Sequence, residues 1–250
     1  MEPLKMHLKL SLALAAVTLT AAVAPANAST FVFERNNVAD DDQVGIFTNI
    51  KATFDTDTEI VNWSTTLKAN TSTGRLAEGG WVVLSDGPNP RFDADEYVIS
   101  YFDGKEGTAT FYSYDGSLSA KSYESEVYLG STSLDVSTKG DERTFAFTYD
   151  ASDINDAALG PDWKGLAFDD TAGIWLHTFD GLSSSYNDDG SINTLNFTTF
   201  RNGQSYYDRG NEPAIEITDP DTSASVPEPG TIAAIGIFAA AATRLRKRLA

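Results

Sequence analysis

The sequence predicts an all-β protein, an antiparallel β-sandwich of two sheets, and three observations support that fold class. Apolar and polar residues alternate along several segments with the period of two that half-buried strands require. Asp-Gly and Asn-Gly pairs recur between these segments, and both pairs tolerate the backbone of tight hairpins. Helical patterns are nearly missing between the two ends of the chain. Frequent turns without alternating helices favour a sandwich over an α/β fold.

The N-terminus has the three parts of a signal peptide. Lys5 and Lys9 precede an uncharged apolar run at 10–24, and Ala26 and Ala28 place small residues where signal peptidase reads them. The alternative is an uncleaved anchor, but this run is short for a hydrocarbon core of ~30 Å. We therefore predict a signal helix within residues 1–28 and cleavage after Ala28.

Residues 29–218 are predicted to form a single β-sandwich domain. Period-two alternation is clearest at 61–67 and 145–149, whereas 108–114 and 192–200 are rich in Thr, Phe and Tyr, which suit a pleated surface. The turn pairs are Asp86-Gly87, Asp103-Gly104, Asp115-Gly116, Asp180-Gly181, Asp189-Gly190 and Asn202-Gly203. The size of this body favours a large two-sheet jelly roll over a minimal immunoglobulin module.

One short helix is expected in the body, at residues 151–159. Ser152 is its predicted N-cap and Gly160 the residue that ends it.

Composition excludes several classes of function. The chain contains no cysteine, so it has no disulfide framework, thiolate metal site or cysteine nucleophile. Its formal net charge is −18, and without the two ends the body keeps 12 basic and 34 acidic side chains, near −22. This balance argues against nucleic acid or anionic lipid as a partner, since both bind basic patches.

The C-terminus has three parts after an acidic spacer at 219–225. Residues 226–230 form a stiff, extended element because each proline fixes its own φ and restricts the residue before it. An uncharged apolar stretch follows at 231–243. The basic cluster that closes the chain consists of Arg244, Arg246, Lys247 and Arg248. Cations beside an apolar segment resist translocation, so this end is expected to stay in the cytoplasm.

This order of Pro-Glu-Pro box, hydrophobic helix and terminal basic cluster resembles the PEP-CTERM sorting signal of Gram-negative bacteria, over residues 226–250. The resemblance implies recognition of Pro227, Glu228 and Pro229 by exosortase, a membrane-embedded transpeptidase of the cysteine type. It also implies that the transmembrane-like helix from Thr231 is a transient anchor, and that the protein works at the cell surface or in extracellular polysaccharide. The alternative, a permanent single span, is disfavoured because 13 helical residues rise only about 20 Å.

The body carries weaker resemblances. Residues 80–90, 96–97 and 173–177 look like the bodies of some uncharacterised PEP-CTERM proteins, and the overall pattern is similar to concanavalin-like and laminin-G-like sandwiches. These resemblances bear on fold and bring no catalytic motif.

We find no pattern for catalysis. His177 is the body's one histidine, because His7 leaves with the signal peptide, and it lies in an aromatic segment where a packed residue is expected. No Gly-x-Ser-x-Gly elbow is present, and a single histidine does not make a tetrahedral zinc site. A glycosidase needs two placed carboxylates, but the nearest motif, at 124–129, lacks its final acid. The chain is therefore predicted not to be an enzyme.

Two kinds of ligand site remain as hypotheses. Calcium prefers oxygen ligands on loops, and the strongest candidates are Asp86, Asn89, Asp93 and Asp95, with weaker clusters at 55–59 and 187–190. The latter is not an EF-hand, because acids are missing at its first and twelfth positions. No cofactor is required by any motif.

Sugar rings stack on exposed aromatic faces, and the candidates for this role are Trp81, Trp175, Tyr206 and Tyr207.

The sequence as a whole indicates an exported surface or matrix protein. Its expected partners are signal peptidase and exosortase during export, and extracellular polysaccharide afterwards. The alternatives are a structural or adhesive protein without a small ligand, and a secreted glycoside-active enzyme.

Overall fold

The computed structural model describes residues 29–39, 46–70, 73–86, 90, 97–116, 121–199, 205–208 and 214–218. The predicted signal peptide, acidic spacer and sorting tail lie outside these ranges. Within them the chain is all-β, with antiparallel strands in two sheets, one short α-helix and a 3₁₀ helix at Ser122–Glu124. None of the helical structure in these ranges is long and apolar enough to cross a membrane.

A six-stranded antiparallel sheet carries the first and last described strands. Numbered along the chain, its members in spatial order are β13 (Ile215–Thr218), β1 (Ser29–Ala39), β2 (Ile46–Asp55), β3 (Ile60–Lys68), β9 (Glu142–Asp150) and β8 (Asp135–Lys139). The alternation predicted at 61–67 is confirmed in β3, where Val61, Trp63, Thr65 and Leu67 are buried and their neighbours are not.

The second sheet faces the first. Its spatial order is β11 (Ile192–Thr199), β10 (Gly173–Tyr186), β4 (Gly79–Ser85), β5 (Tyr97–Asp103), β6 (Thr108–Tyr114) and β7 (Tyr128–Ser133), and β12 (Ser205–Asp208) pairs with the first half of β10. Phe102 lies 5.2 Å from Phe145 and Phe111 lies 5.5 Å from Phe147 between ring centroids. These pairs join the two sheets in one apolar core.

Two of the predicted turns are confirmed as hairpins. Asp103-Gly104 connects β5 to β6, and Asp189-Gly190 connects β10 to β11. Asp180-Gly181 was predicted to be a turn, and that prediction is wrong. The pair lies inside β10 at an irregularity between Asp180 and Ser183, where Gly181 takes a φ of 65°. Positive φ is the property that the dipeptide shares with a turn, and here it bends a strand instead.

The predicted helix is shorter than expected. α1 spans Ser152–Asn155, and Ser152 lies inside it, so the N-cap prediction is wrong. Asp150 accepts hydrogen bonds from the backbone N (3.1 Å) and Oγ (2.7 Å) of Ser152. Asn155 is the last residue of the helix, and its side chain accepts a bond from the distant Leu166 N at 2.8 Å.

The seven-stranded sheet is buried on both of its faces. Nearly every residue of β4, β5 and β6 is buried, because the second half of β10 and β11 fold as a hairpin over the outer face. We call this segment, residues 180–199, the covering hairpin. Ile192 N donates to Tyr112 Oη at 2.6 Å, and Tyr128 Oη donates to the Asp189 carbonyl at 3.1 Å. A second aromatic core lies beneath it.

Strand register defines two ends of the molecule. Ser29 pairs with Thr218, and Ile60 pairs with Asp150, so the N- and C-terminal strands meet at what we call the terminal end. Residues 69–78, the β5–β6 turn and the β8–β9 turn lie at the opposite end, which we call the far end.

Because of the tyrosines in the second aromatic core, we expect the fold to lose stability in alkali. Burial raises the pKa of Tyr112 to about 12 and also raises the pKa values of Tyr101 and Tyr186. Unfolded tyrosines lose their protons near pH 10, whereas these three stay protonated in the fold. The free energy of unfolding should therefore be level from neutral pH to about pH 9 and fall above about pH 10. Urea unfolding across this pH range measures it.

Tyr112→Phe is the matched variant for this prediction. It removes one titrating group, so its stability should fall less steeply with pH than that of the parent. Identical slopes for parent and variant would show that Tyr112 ionises as freely in the fold as in the unfolded chain.

Candidate functional site

Trp81 and Trp175 are not platforms for a sugar ring. Their exposed fractions are 4% and 8%. The Trp81 ring stacks on His177 at 4.5 Å and meets the edge of Trp175 at 6.0 Å between centroids. The sequence interpretation fails because it assumed a solvent-facing side of the sheet, and the second aromatic core occupies that side.

The other predicted aromatic pair lies on β12. Tyr206 pairs in register with Leu176, and Tyr207 pairs with Trp175. Their side chains lie outside what the structure describes, so a ligand role for them stays a prediction.

His177 is a packed residue, as its aromatic surroundings predicted. Burial lowers the pKa of its ring, and Nδ1 lies 3.0 Å from the Thr178 carbonyl. The two acids of the glycosidase-like motif have local partners, because Glu124 pairs with Lys121 at 2.8 Å and Glu126 accepts a bond from Ser113 Oγ at 3.1 Å.

The calcium hypothesis is only partly within the described chain. Asp86 lies at the end of β4 and pairs with Lys164 Nζ at 3.3 Å, while Asn89, Asp93 and Asp95 are outside the described residues. Among the side chains that the structure places, no three or more acids or histidines are arranged to hold a metal ion.

Of the weaker calcium clusters, the 55–59 loop is an Asx turn. Asp55 Oδ1 accepts bonds of 2.8 Å from both the backbone N and Oγ1 of Thr58, and these bonds lower the pKa of Asp55. Asp189 likewise accepts bonds from the N and Oγ of Ser191. Local donors therefore occupy one carboxylate in each cluster, Asp55 in the first and Asp189 in the second.

A pocket of about 260 Å³ opens at the far end. We call it the far-end pocket. Its lining residues come from the segment before β4, from β9 and from the bend in β10, and they are Gly74, Arg75, Leu76, Glu78, Arg143, Asp180 and Gly181. Two guanidinium groups and two carboxylates thus converge from three parts of the chain. The sequence marked Asp180 and Gly181 only as a turn pair and did not identify the other lining residues, because only the fold brings them together.

Glu78 forms the fixed acidic side of the pocket. Its Oε2 accepts bonds from Lys105 Nζ at 2.9 Å and from Leu182 N at 2.6 Å. Burial alone would raise the pKa of this carboxyl, but the bonds from Lys105 and Leu182 outweigh burial and lower it. Lys105 also donates to the Leu182 carbonyl at 2.5 Å. Glu78 is therefore an ionised group held in one position.

The two arginines differ in how firmly they are held. Arg143 donates from Nη1 to the Ala77 carbonyl at 2.7 Å and from Nε to Thr138 Oγ1 at 3.1 Å. Arg75 has a side chain 66% exposed, and its Nη1 lies 3.5 Å from Asp180 Oδ2. This ion pair is long, so it holds Arg75 weakly. Asp180 is only 9% exposed and is therefore the fixed partner.

Asp103 lies at the far end as well, and it anchors the covering hairpin. It is 2% exposed and accepts bonds from Ser184 Oγ, from Tyr186 Oη at 3.0 Å, and from the backbone N of Lys105 at 2.9 Å and Glu106 at 3.1 Å. The sequence identified Asp103 only as part of a turn. The same carboxylate shapes the turn that presents Lys105 to Glu78.

Charge is distributed unequally between the two ends. Three cations, Arg75, Lys105 and Arg143, accompany Glu78 and Asp180 at the far-end pocket. The terminal end is rich in acids, among them Asp55, Asp57, Glu59, Asp150, Asp153 and Asp156. An anionic ligand is therefore repelled less at the far-end pocket than beside this group of acids.

A second groove, of about 230 Å³, crosses the outer face of the six-stranded sheet. Its side chains bond to one another, since Thr148 Oγ1 donates to Asn62 Oδ1 at 2.7 Å and Asn62 Nδ2 donates to Thr53 Oγ1 at 3.0 Å. Because these groups already satisfy each other, the far-end pocket is the stronger candidate for a ligand.

No protein-family model matches this chain, and neither a curated protein nor a solved structure is significantly similar to it.

Asp103 should be essential to the far end. In Asp103→Ala the Ser184 and Tyr186 hydroxyls and two backbone N–H groups lose their acceptor, and buried unpaired groups are costly. We expect the free energy of unfolding to fall by about 3 kcal/mol, measured by urea unfolding. Asp135→Ala, which removes an exposed acid from β8, should change it by less than about 0.5 kcal/mol. Equal effects of the two substitutions would refute the anchoring role.

Proposed function

We propose that this chain is an exported protein that binds extracellular polysaccharide without catalysis. Signal peptidase removes residues 1–28, and exosortase recognises the box at Pro227, Glu228 and Pro229 while the apolar tail holds the protein in the membrane. The resemblance of the tail to PEP-CTERM signals supports this route. The body then acts at the cell surface or in the matrix.

The observation that carries the proposal is the opposite placement of the terminal strands and the far-end pocket. Ser29 and Thr218 are paired neighbours, so the described body begins and ends at the terminal end, where the C-terminal tail is attached. A body tethered there directs the far-end pocket away from the membrane. The pocket combines donors and acceptors, as recognition of sugar hydroxyls requires.

The lowered pKa of the Glu78 carboxyl supports sugar binding rather than sugar hydrolysis. A glycosidase needs a carboxylic acid whose pKa is raised so that it can donate a proton. The pKa of Glu78 is lowered instead, and the group is bonded to Lys105. A structural or adhesive surface protein is the remaining alternative, and calcium near Asp86 is an optional component of either function.

For the fold we propose the finer assignment to jelly-roll sandwiches of the concanavalin or laminin-G kind. Two large antiparallel sheets face each other, and the first and last described strands are neighbours in one of them. These features support the assignment, which the similarity of the sequence pattern suggested.

Processing of both tails is the first test. Intact-mass measurement of protein recovered from the native host should show loss of residues 1–28 and a new C-terminus near Pro227. Pro227→Ala together with Pro229→Ala should leave the tail uncut, because the stiff recognition box is lost. Mature protein that still carried Arg244 to Arg248 would refute processing by a sorting enzyme.

Binding is the second test. The mature protein is applied to an array of bacterial polysaccharides with and without EDTA. We expect retention on at least one polysaccharide, with no release of reducing sugar. If EDTA abolishes binding, calcium takes part in it. If binding persists in EDTA, the protein binds the polysaccharide without calcium. Absence of binding in both conditions would refute polysaccharide recognition and favour the structural alternative.

A further inference from the structure

The far-end pocket offers more hydrogen-bond donors than acceptors. Within the described residues, the Nη2 group of Arg143 has no bond, and Arg75 makes only its long contact with Asp180. Glu78, in contrast, has its Oε2 occupied by Lys105 and Leu182, so only Oε1 is left to accept a bond from a ligand. A group that only accepts hydrogen bonds would satisfy this surplus, and a carboxylate is such a group.

Guanidinium groups select a planar partner. An arginine fork donates two parallel N–H bonds to one carboxylate, and such charged pairs are stronger than bonds between neutral groups. Arg143 is already oriented by Ala77 and Thr138, so part of the entropic cost of binding is met before the ligand arrives. Arg75 is mostly exposed and can turn toward a ligand.

The acids nearby do not oppose this ligand strongly. Glu78 is neutralised by Lys105 at 2.9 Å, and the buried Asp103 carboxylate is enclosed by hydroxyl and backbone donors. Asp180 loses part of its weak contact when Arg75 turns, and a ligand hydroxyl can donate to it in exchange. The pocket thus replaces a 3.5 Å ion pair with a carboxylate pair and a hydroxyl bond.

Size limits the ligand further. The volume of about 260 Å³ is below the usual range for drug-sized ligands, about 300–1,000 Å³. It suits one sugar residue, with the rest of a polymer outside. No aromatic side chain lines the pocket among the described residues, so polar contacts must dominate.

We propose that the far-end pocket binds a uronic acid residue of an acidic polysaccharide. The guanidinium groups of Arg75 and Arg143 bind its carboxylate, and Asp180 accepts a bond from a ring hydroxyl. This inference rests on the proposed polysaccharide binding and specifies the class of sugar. It also accounts for the presence of three cations, Arg75, Lys105 and Arg143, around one pocket of a strongly acidic body.

The test compares an acidic and a neutral sugar oligomer that differ only in the acid group, and adds a sulfated oligomer as a second anion. Titration calorimetry of the mature protein uses an oligomer of glucuronate and an oligomer of glucose with the same linkage and length. We expect the glucuronate oligomer to bind at least about tenfold more tightly, and its affinity to fall as salt is raised. A sulfated glucose oligomer of the same length should bind more weakly than glucuronate, because it lacks the planar carboxylate.

Three variants locate the site. Arg75→Gln should weaken glucuronate binding about tenfold without unfolding the protein, since its side chain is exposed. Arg143→Lys keeps the charge but removes the fork, and should weaken binding similarly. Lys121→Gln is the control, because this exposed lysine pairs with Glu124 and does not line the pocket. It should bind glucuronate as the parent does.

The outcomes separate this inference from the proposed function. Equal binding of the two unsulfated oligomers overturns the uronate inference and leaves polysaccharide binding intact. Tighter binding of the sulfated oligomer, or equal losses in Arg75→Gln and Lys121→Gln, also overturns it, because general charge attraction would then explain binding. Failure to bind any saccharide overturns both proposals.

Discussion

The seven-stranded sheet is apolar on both faces, and the rest of the structure depends on covering the second face. The six-stranded sheet covers one side, where Phe102 and Phe111 meet Phe145 and Phe147. On the other side the described chain forms no third sheet, and β10 instead continues past its partner β4 and returns with β11 as the covering hairpin. Burial of large aromatic side chains drives this closure, and buried hydrogen bonds fix its position. The hairpin is therefore as necessary to the fold as the main core.

Coverage of that face decides where ligands can bind. Aromatic side chains that could stack on a sugar are used for packing, as the contact between Trp81 and His177 shows. Clusters of polar side chains therefore lie at the two ends of the molecule and on the outer face of the six-stranded sheet. The terminal end is strongly acidic, and the outer-face groove satisfies its own hydrogen bonds. The far-end pocket remains, with two guanidinium groups and two carboxylates in its lining.

The sequence predicted local features well and distant contacts poorly. Alternation correctly placed β3, and Asp103-Gly104 and Asp189-Gly190 correctly placed hairpins, because these signals depend on neighbouring residues. The turn prediction at Asp180-Gly181 was wrong because the same positive φ occurs in a turn and in a bent strand. Only tertiary packing determines which of the two forms. The buried state of Trp81 could have been suspected from its continuous apolar strand, which is typical of strands covered on both faces. The far-end pocket carries no such sequence signal, since residues far apart in the chain build it.

Hydrogen bonds connect the covering hairpin directly to the far-end pocket. Glu78, which lines the pocket, bonds to Leu182 N in the hairpin, and Lys105 bonds to both Glu78 and the Leu182 carbonyl. Asp103 holds the same hairpin two residues further on, at Ser184. A hairpin that lifted from the sheet would therefore remove the bonds that position Glu78. By thermodynamic linkage, a ligand that needs the intact pocket must also stabilise the closed hairpin. Aromatic burial on one side of the sheet thus supports the geometry of a polar site at its end.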